Sequence, residues 1–337
     1  MLGLRSALLA GGVASALIGL AVWFSLPAEQ AVQAARYVPP ATEQPITPIP
    51  ETLELDPRKV SLGRRLFHDK RLSRNDTVSC ASCHDLRLAG IDGRPVGIGV
   101  DDQMGTVNSP TVLNSAFNFR QFWDGRAGTL EEQAAGLVHN PIEMATNWDD
   151  VIVKLQRDAA YVLAFKAVWP DGIRAEHIQS AIAEFERSLI TPDSPFDRYL
   201  KGETEALPGD ARKGWDLFRN LGCIACHQGV NMGGNMYANL GVMGDFFRER
   251  GKPEVKTDLG RYNVTGKDAD KHMFKVPTLR NISRTAPYFY DGSIATLEKA
   301  VETMARYQLG VELSDGDKQN LIAFLKTLNG RLPEPAP

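Results

Sequence analysis

The sequence predicts a mostly α-helical protein made of two similar halves with long irregular loops. Three observations predict it. The pattern Cys-x-x-Cys-His occurs twice, at residues 80–84 and 223–227. Ahead of each stands Gly-x-x-Leu-Phe, at residues 63–67 and 214–218, which reads as a helix leading into the cysteines. Each half then carries a later run of apolar residues at helical spacing, while the period-2 alternation of strands is sparse.

Taken in order, the 337-residue chain sets Arg5 ahead of an uncharged, mostly apolar stretch over residues 6–28. That stretch is longer than the roughly 7–15 residues of a cleavable signal core and nearer the ~20 that span a bilayer. Residues 1–35 are therefore read as a membrane anchor or a signal peptide, the latter with a cleavage site near Ala34 or Ala35. Either places the body outside the cytoplasmic membrane, with Arg5 on the inner side. Pro39, Pro40, Pro45, Pro48 and Pro50 mark residues 36–57 as an extended linker. A first domain is expected over residues 58–200, closed by a helix bearing Ile178, Ile182, Phe185 and Leu189. A second is expected over 201–337, closed by a helix bearing Leu321, Ile322, Phe324, Leu325 and Leu328 and ending at Asn329-Gly330. Pro192, Pro195 and Pro208 interrupt helix between them. Charged residues make up 23% of the chain and the net charge is −3, which excludes a nucleic-acid partner of the usual basic kind.

The four cysteines all lie in the two repeated patterns, so none remains for a structural disulfide. A zinc site built from two such pairs wants them about 15–20 residues apart; these stand in opposite halves of the chain. A thioredoxin-like redox pair needs a βαβ setting, and neither copy follows a strand pattern. Thioether attachment of haem needs a histidine directly after the second cysteine, and both copies have it. Cys80, Cys83 and His84 are thus assigned to one covalent haem c, and Cys223, Cys226 and His227 to another. Helix, haem motif, irregular loops and closing helix together describe a cytochrome c-like domain, present twice.

Between and beyond these motifs lie NSPTVLN (residues 108–114), FWDGRA (122–127), NPIEM (140–144), LITPDSPFDRYLKG (189–202), GVNMGGN, LRNISRTAPYFYDG and TLEKAVETM. In order and spacing the chain resembles the bacterial di-haem cytochrome c peroxidases over residues 55–330. The resemblance implies reduction of hydrogen peroxide to two waters. It implies a high-potential C-terminal haem with His and Met ligands that passes electrons to an N-terminal haem where peroxide reacts, and a calcium ion between the domains. Met304 in TLEKAVETM then becomes the second ligand of the C-terminal haem; by its spacing alone, with Leu297 and Val301, it reads as core filler. A thioether ligand raises reduction potential, as suits a site that takes in electrons. A tyrosine at this place would have pointed instead to the related group that matures methylamine dehydrogenase. Trp123 matches the family's inter-haem tryptophan, a relay, though an aromatic packed on porphyrin reads equally well from the residue alone. Glu143 matches the acid that moves a proton between the peroxide oxygens, and Gln133 a neighbour that orients peroxide. Asn108, Thr285 and Pro287 match the calcium ligands, an oxygen set poor in carboxylates and so of modest affinity.

At one position the chain departs from the pattern. Many family members rest with a histidine on the peroxidatic iron, supplied by the loop before NSPT and displaced only after partial reduction. Aligned through GIG and NSP, that histidine falls at Val100, which cannot ligate iron. The favoured expectation is an open distal face and no need for reductive activation; Met104 in the same loop and His139 through another path remain alternatives. The expected donor is a small periplasmic cytochrome c or cupredoxin, with quinol conceivable if the chain is membrane-anchored. Family members often dimerise. A di-haem carrier without peroxide turnover, and an oxidase acting on another substrate, are the competing functions.

Overall fold

The computed structural model describes residues 45–333; the expected anchor or signal over 1–35 and the first part of the expected linker lie outside them. The longer helices are α1 (Pro57–Phe67), α2 (Leu130–His139), α3 (Trp148–Gln156), α4 (Ala159–Val168), α5 (Ala175–Ser188), α6 (Gly209–Asn220), α7 (Leu297–Met304) and α8 (Asp315–Lys326). The one sheet among the described residues pairs β1 (Tyr237–Asn239) with β2 (Met273–Lys275), antiparallel, with Tyr237 opposite Lys275. The chain is thus mostly helical with little sheet, as its patterning predicts. Among the described residues no helix is long and apolar enough to cross a membrane.

The repeated Gly-x-x-Leu-Phe has the same steric basis in both halves. α1 packs on α5 so closely that a β-carbon on Gly63 would run into the Ala181 carbonyl and come 2.8 Å from the Phe185 β-carbon. α6 packs on α8 so that a β-carbon on Gly214 would run into the Asn320 carbonyl and come 2.8 Å from that of Phe324. Only glycine admits these approaches. The leucine and phenylalanine that follow then reach the core: Leu66 and Phe67 are fully buried in the first half, and Phe218 is buried in the second. Ile178, Ile182 and Phe185 fill the facing side of α5, and Leu321, Phe324 and Leu325 that of α8.

Three sequence expectations are corrected here. Residues 45–50 are not a free linker. Ile46 and Ile49 are buried, Gly229 N–H donates to the Pro45 carbonyl at 2.7 Å, and Ile49 N–H donates to Asp197 at 3.2 Å. The prolines keep this stretch extended, and the extended strip lets two isoleucines reach the C-terminal core. Pro195 opens a helix rather than breaking one: it occupies the first turn of Pro195–Leu200, where its missing N–H costs nothing, and Ser194 and Asp197 cap that turn reciprocally. Finally, α8 ends at Lys326, because the chain must then swing Gly330 against the Thr191 carbonyl, where no β-carbon would fit.

A second repeat, less visible in the letters, governs the loops. Asn114 and Asn281, Phe122 and Phe289, and Leu130 and Leu297 each stand 167 positions apart. Asn114 and Asn281 share φ 61° and ψ 15°. Phe122 and Phe289 both take left-handed φ, at 68° and 70°. Each phenylalanine sits in a tight loop closed by one bridge, Gln121 with Ala127 and Tyr288 with Ile294. Thr129 and Thr296 then cap α2 and α7 through their side-chain oxygens. The amides of Asn114 and Asn281 both donate to the Thr191 hydroxyl, each at 2.8 Å, deep in the protein.

Candidate functional site

One cavity of about 750 Å³ gathers most of the residues expected from sequence. Cys80, Cys83 and His84 border it, and so do Trp123, Gln133 and Glu143. The attachment motif forms a single helical turn, Cys80–Cys83, that turns both sulfurs and the following imidazole to the same space. Burial pushes the Cys83 thiol up to about 11 and the Cys80 thiol further. These are settings for uncharged sulfur, suited to a thioether rather than to the thiolate a metal site needs.

The two histidines are held alike. His84 Nδ1 lies 3.2 Å from the Gly90 carbonyl, and His227 Nδ1 lies 3.2 Å from the Met232 carbonyl. A carbonyl only accepts, so Nδ1 carries the proton in both and Nε2 is left with a free lone pair. Burial holds His84 below the ordinary histidine range and pushes His227 down to about 4, so both are neutral imidazoles. A neutral ring with one nitrogen tied to a backbone carbonyl is the state in which histidine ligates a metal. The residues present fit a covalent haem at each motif.

Glu143 enters the cavity from the turn after α2. Asn140 ends that helix, and Glu143 N–H donates to its carbonyl at 3.1 Å. The carboxyl atom Oε2 is buried and has no hydrogen-bond partner among the described residues. Burial pushes this acid up, opposed by the nearby Arg126 guanidinium. Such a carboxyl is poised to hold a proton and pass it on. Gln133 stands on α2, and its side-chain amide makes no hydrogen bond among the described residues, which leaves it free to engage a ligand.

Val100 is buried behind this acid. Its N–H donates to the Glu143 carbonyl at 2.9 Å, and Gly99 leaves no room for a β-carbon against the same backbone. The loop is tied on itself by Gly105 N–H to the Gly97 carbonyl at 2.8 Å and held outside by Arg74 and Asn75 on Asp101. Neither alternative ligand borders the cavity. Met104 is 69% exposed, and His139 lies at the exposed end of α2, its ring edge-on to Trp148.

Trp123 joins the halves. Its indole N–H donates to the Asn108 carbonyl at 2.9 Å, and its own carbonyl accepts from Lys275 N–H at 2.8 Å. It packs in a cluster with Phe246, Phe274 and Tyr290 that also includes Met304. Met304 is the last residue of α7, followed by a π-helical turn over Ala305–Leu309. In the 167-residue register its counterpart is Leu137, which lines the first cavity.

Asn108 donates its amide to the Arg94 carbonyl at 2.9 Å, which turns its side-chain oxygen the other way. That oxygen and the carbonyls of Thr285 and Pro287 accept no hydrogen bond among the described residues. Sequence reasoning missed one further acid. Glu186, on α5, borders the cavity near Cys80, is 6% exposed, and is pushed up to about 8 by burial. In the sequence it looked like one of several polar residues on an amphipathic helix.

The di-haem cytochrome c peroxidase family description matches residues 57–205. A cytochrome c551 peroxidase of Nitrosomonas europaea is 44% identical over 295 residues, covering 87% of this chain and 86% of its own length. The chain belongs to the di-haem cytochrome c peroxidase family. A cytochrome c peroxidase of Escherichia coli strain K12 is 49% identical over 87% of this chain, which spans 62% of that longer relative. Among solved structures, a MauG-like protein associated with microbial copper homeostasis superposes with a TM-score of 0.75 at 30% identity, over 87% of this chain and 95% of its own.

Proposed function

We infer that this chain is a cytochrome c peroxidase that reduces hydrogen peroxide to water, with electrons taken in at the C-terminal haem site and used at the N-terminal one. The observation that carries this reading is the cavity in which Cys80, Cys83 and His84 face Glu143, a buried acid with an unpartnered oxygen. Cys80, Cys83 and His84 would hold a haem, which would supply the redox chemistry of peroxide reduction. The chain supplies orientation and protons. The Gln133 amide holds peroxide by hydrogen bonds. Glu143 takes the proton from one peroxide oxygen and returns it to the other as water leaves, and two further protons from solvent complete two waters. Burial raises the acid's hold on its proton, and the Arg126 guanidinium opposes that rise.

Cys223, Cys226 and His227 would hold the second haem, with Met304 as its further ligand, in a separate C-terminal haem domain over 201–337. Trp123 is the relay between the two sites. Asn108, Thr285 and Pro287 offer neutral oxygens for one calcium ion. With Val100 in place of a ligating histidine, this loop would offer no ligand to a haem held by Cys80, Cys83 and His84, and the oxidised protein would need no prior reduction to admit peroxide. A periplasmic location and a small cytochrome c or cupredoxin donor fit this reading; quinol donation, membrane anchoring and dimerisation extend it.

The test uses oxidised full-length protein shown to hold two haems by its pyridine haemochrome. Reduced cytochrome c should be oxidised at two equivalents per peroxide, without a lag and without prior reduction. Glu143→Gln should lower turnover by about 10²–10⁴ while both haems stay bound. A chain that only exchanges electrons with the cytochrome is a carrier, and a lag relieved by pre-reduction removes the open-face reading.

A further inference from the structure

β2 carries a charge that the chain does not balance. Lys275 is 6% exposed, and its ammonium has no acceptor, carboxylate or aromatic ring among the described residues. Its backbone N–H donates to the Trp123 carbonyl at 2.8 Å. Burial alone pushes the ammonium down to about 8. A buried ammonium without a counter-charge is strongly disfavoured, so such residues are found with an anion beside them.

The strand fixes the direction of this side chain. Successive residues of a strand face opposite ways. Phe274 borders the N-terminal cavity, so Lys275 turns from it. Just beyond, the chain runs to the second haem motif. Gly234 N–H donates to the Val276 carbonyl at 2.7 Å, a β-carbon on Gly233 would collide with the Pro277 carbonyl, and the Pro277 backbone helps His227 to keep its proton. Lys275 therefore stands between the relay tryptophan and the second histidine.

We propose that the Lys275 ammonium pairs with a propionate carboxylate of the haem attached at Cys223 and Cys226, fixing a positive charge that favours the reduced form of that haem. The proposal rests on the reading of two attached haems. Haem brings two carboxylates, the kind of anion that the chain itself does not place near this ammonium. Reduction adds a negative charge at the iron, and a cation held nearby in a dry setting stabilises it.

The experiment is a redox titration of the full-length holoprotein with Lys275→Met, Lys275→Gln and Lys275→Arg. Both neutral variants should weaken electron binding at the high-potential haem by at least about tenfold, which is about 59 mV for a one-electron couple. The low-potential haem should not move, and Lys275→Arg should restore most of the loss, which a merely structural role would not predict. An unmoved high-potential haem, or a shift confined to the other haem, overturns the proposal. Pyridine haemochromes of the same samples separate the two failures: one haem per chain sinks the two-haem reading and the pairing with it, whereas two haems with no shift sink the pairing alone.

Discussion

The loop after each attachment motif is built to one plan and finished differently. In the first half it runs through Asn114, Phe122, Trp123, Thr129 and Leu137; in the second through Asn281, Phe289, Tyr290, Thr296 and Met304. Backbone, cap and tight loop agree between them. The side chains at the working positions do not. Leu137 has no atom that binds iron, and it lines the first cavity together with Glu143 and Gln133. Met304 carries a thioether at the same station, suited to close the second site. Tyr290, opposite Trp123 in the register, is locked to Asp258 and Arg250 and is pushed far up by burial and by that carboxylate. One backbone plan thus presents chemically different side chains at equivalent places in the two halves.

The largest expected effect breaks the difference. Met304→Leu makes the second site resemble the first. Its haem should turn from low-spin to high-spin in electron paramagnetic resonance, and cytochrome-driven turnover should fall at least about tenfold as its potential drops. Peroxide binding at the first site should be unchanged. A second haem that stays low-spin would show that Met304 is not its ligand.

The next effect tests the sameness. Gly63→Ala and Gly214→Ala each push a methyl group into a carbonyl and a phenylalanine on the facing helix. Each should cost about 1–3 kcal/mol in denaturant unfolding, and the two costs should agree within about 1 kcal/mol. A large loss at one and none at the other would mean that the helix pairs are not equivalent.

The smallest effect sharpens what is peculiar to the first half. Glu186 is pushed up to about 8 by burial, from an ordinary value of 4.5. Between those values the folded protein keeps a proton that the unfolded chain has lost, so stability falls as pH rises through this window. Glu186→Gln removes that slope. Relative to wild type it should gain roughly 1–2 kcal/mol at pH 8 and little near pH 4, by thermal unfolding at a series of pH values. Parallel pH curves for the two proteins would show that this carboxyl is not held protonated.

How much of this was legible in the sequence follows from what each residue must do. Cysteine, histidine and close-packed glycine have few substitutes, so the attachment motifs and the helix pairs stand out as letters. The closing helices were legible from their 3.6-residue spacing, and Glu143 and Gln133 only through resemblance, because one acid or amide on a loop has no pattern of its own. The prolines of residues 45–50 suggested a free linker, since proline reports backbone extension and not what an extended strip touches; Ile46 and Ile49 decide that. The 167-residue register is faint because it preserves backbone angles. Asparagine in left-handed φ and phenylalanine at the loop tip recur, while the residues between them diverge. Lys275 had no signal, because a lysine reads as surface until its neighbours are known.

Thr191 shows what this doubled plan requires at its centre. Its hydroxyl oxygen has two lone pairs, and the Asn114 amide uses one and the Asn281 amide the other. The oxygen acts as a shared rivet, already filled from both sides. Serine could take the same load and valine could not. With no third lone pair to spare, a displacement of either asparagine alters the seat of the other.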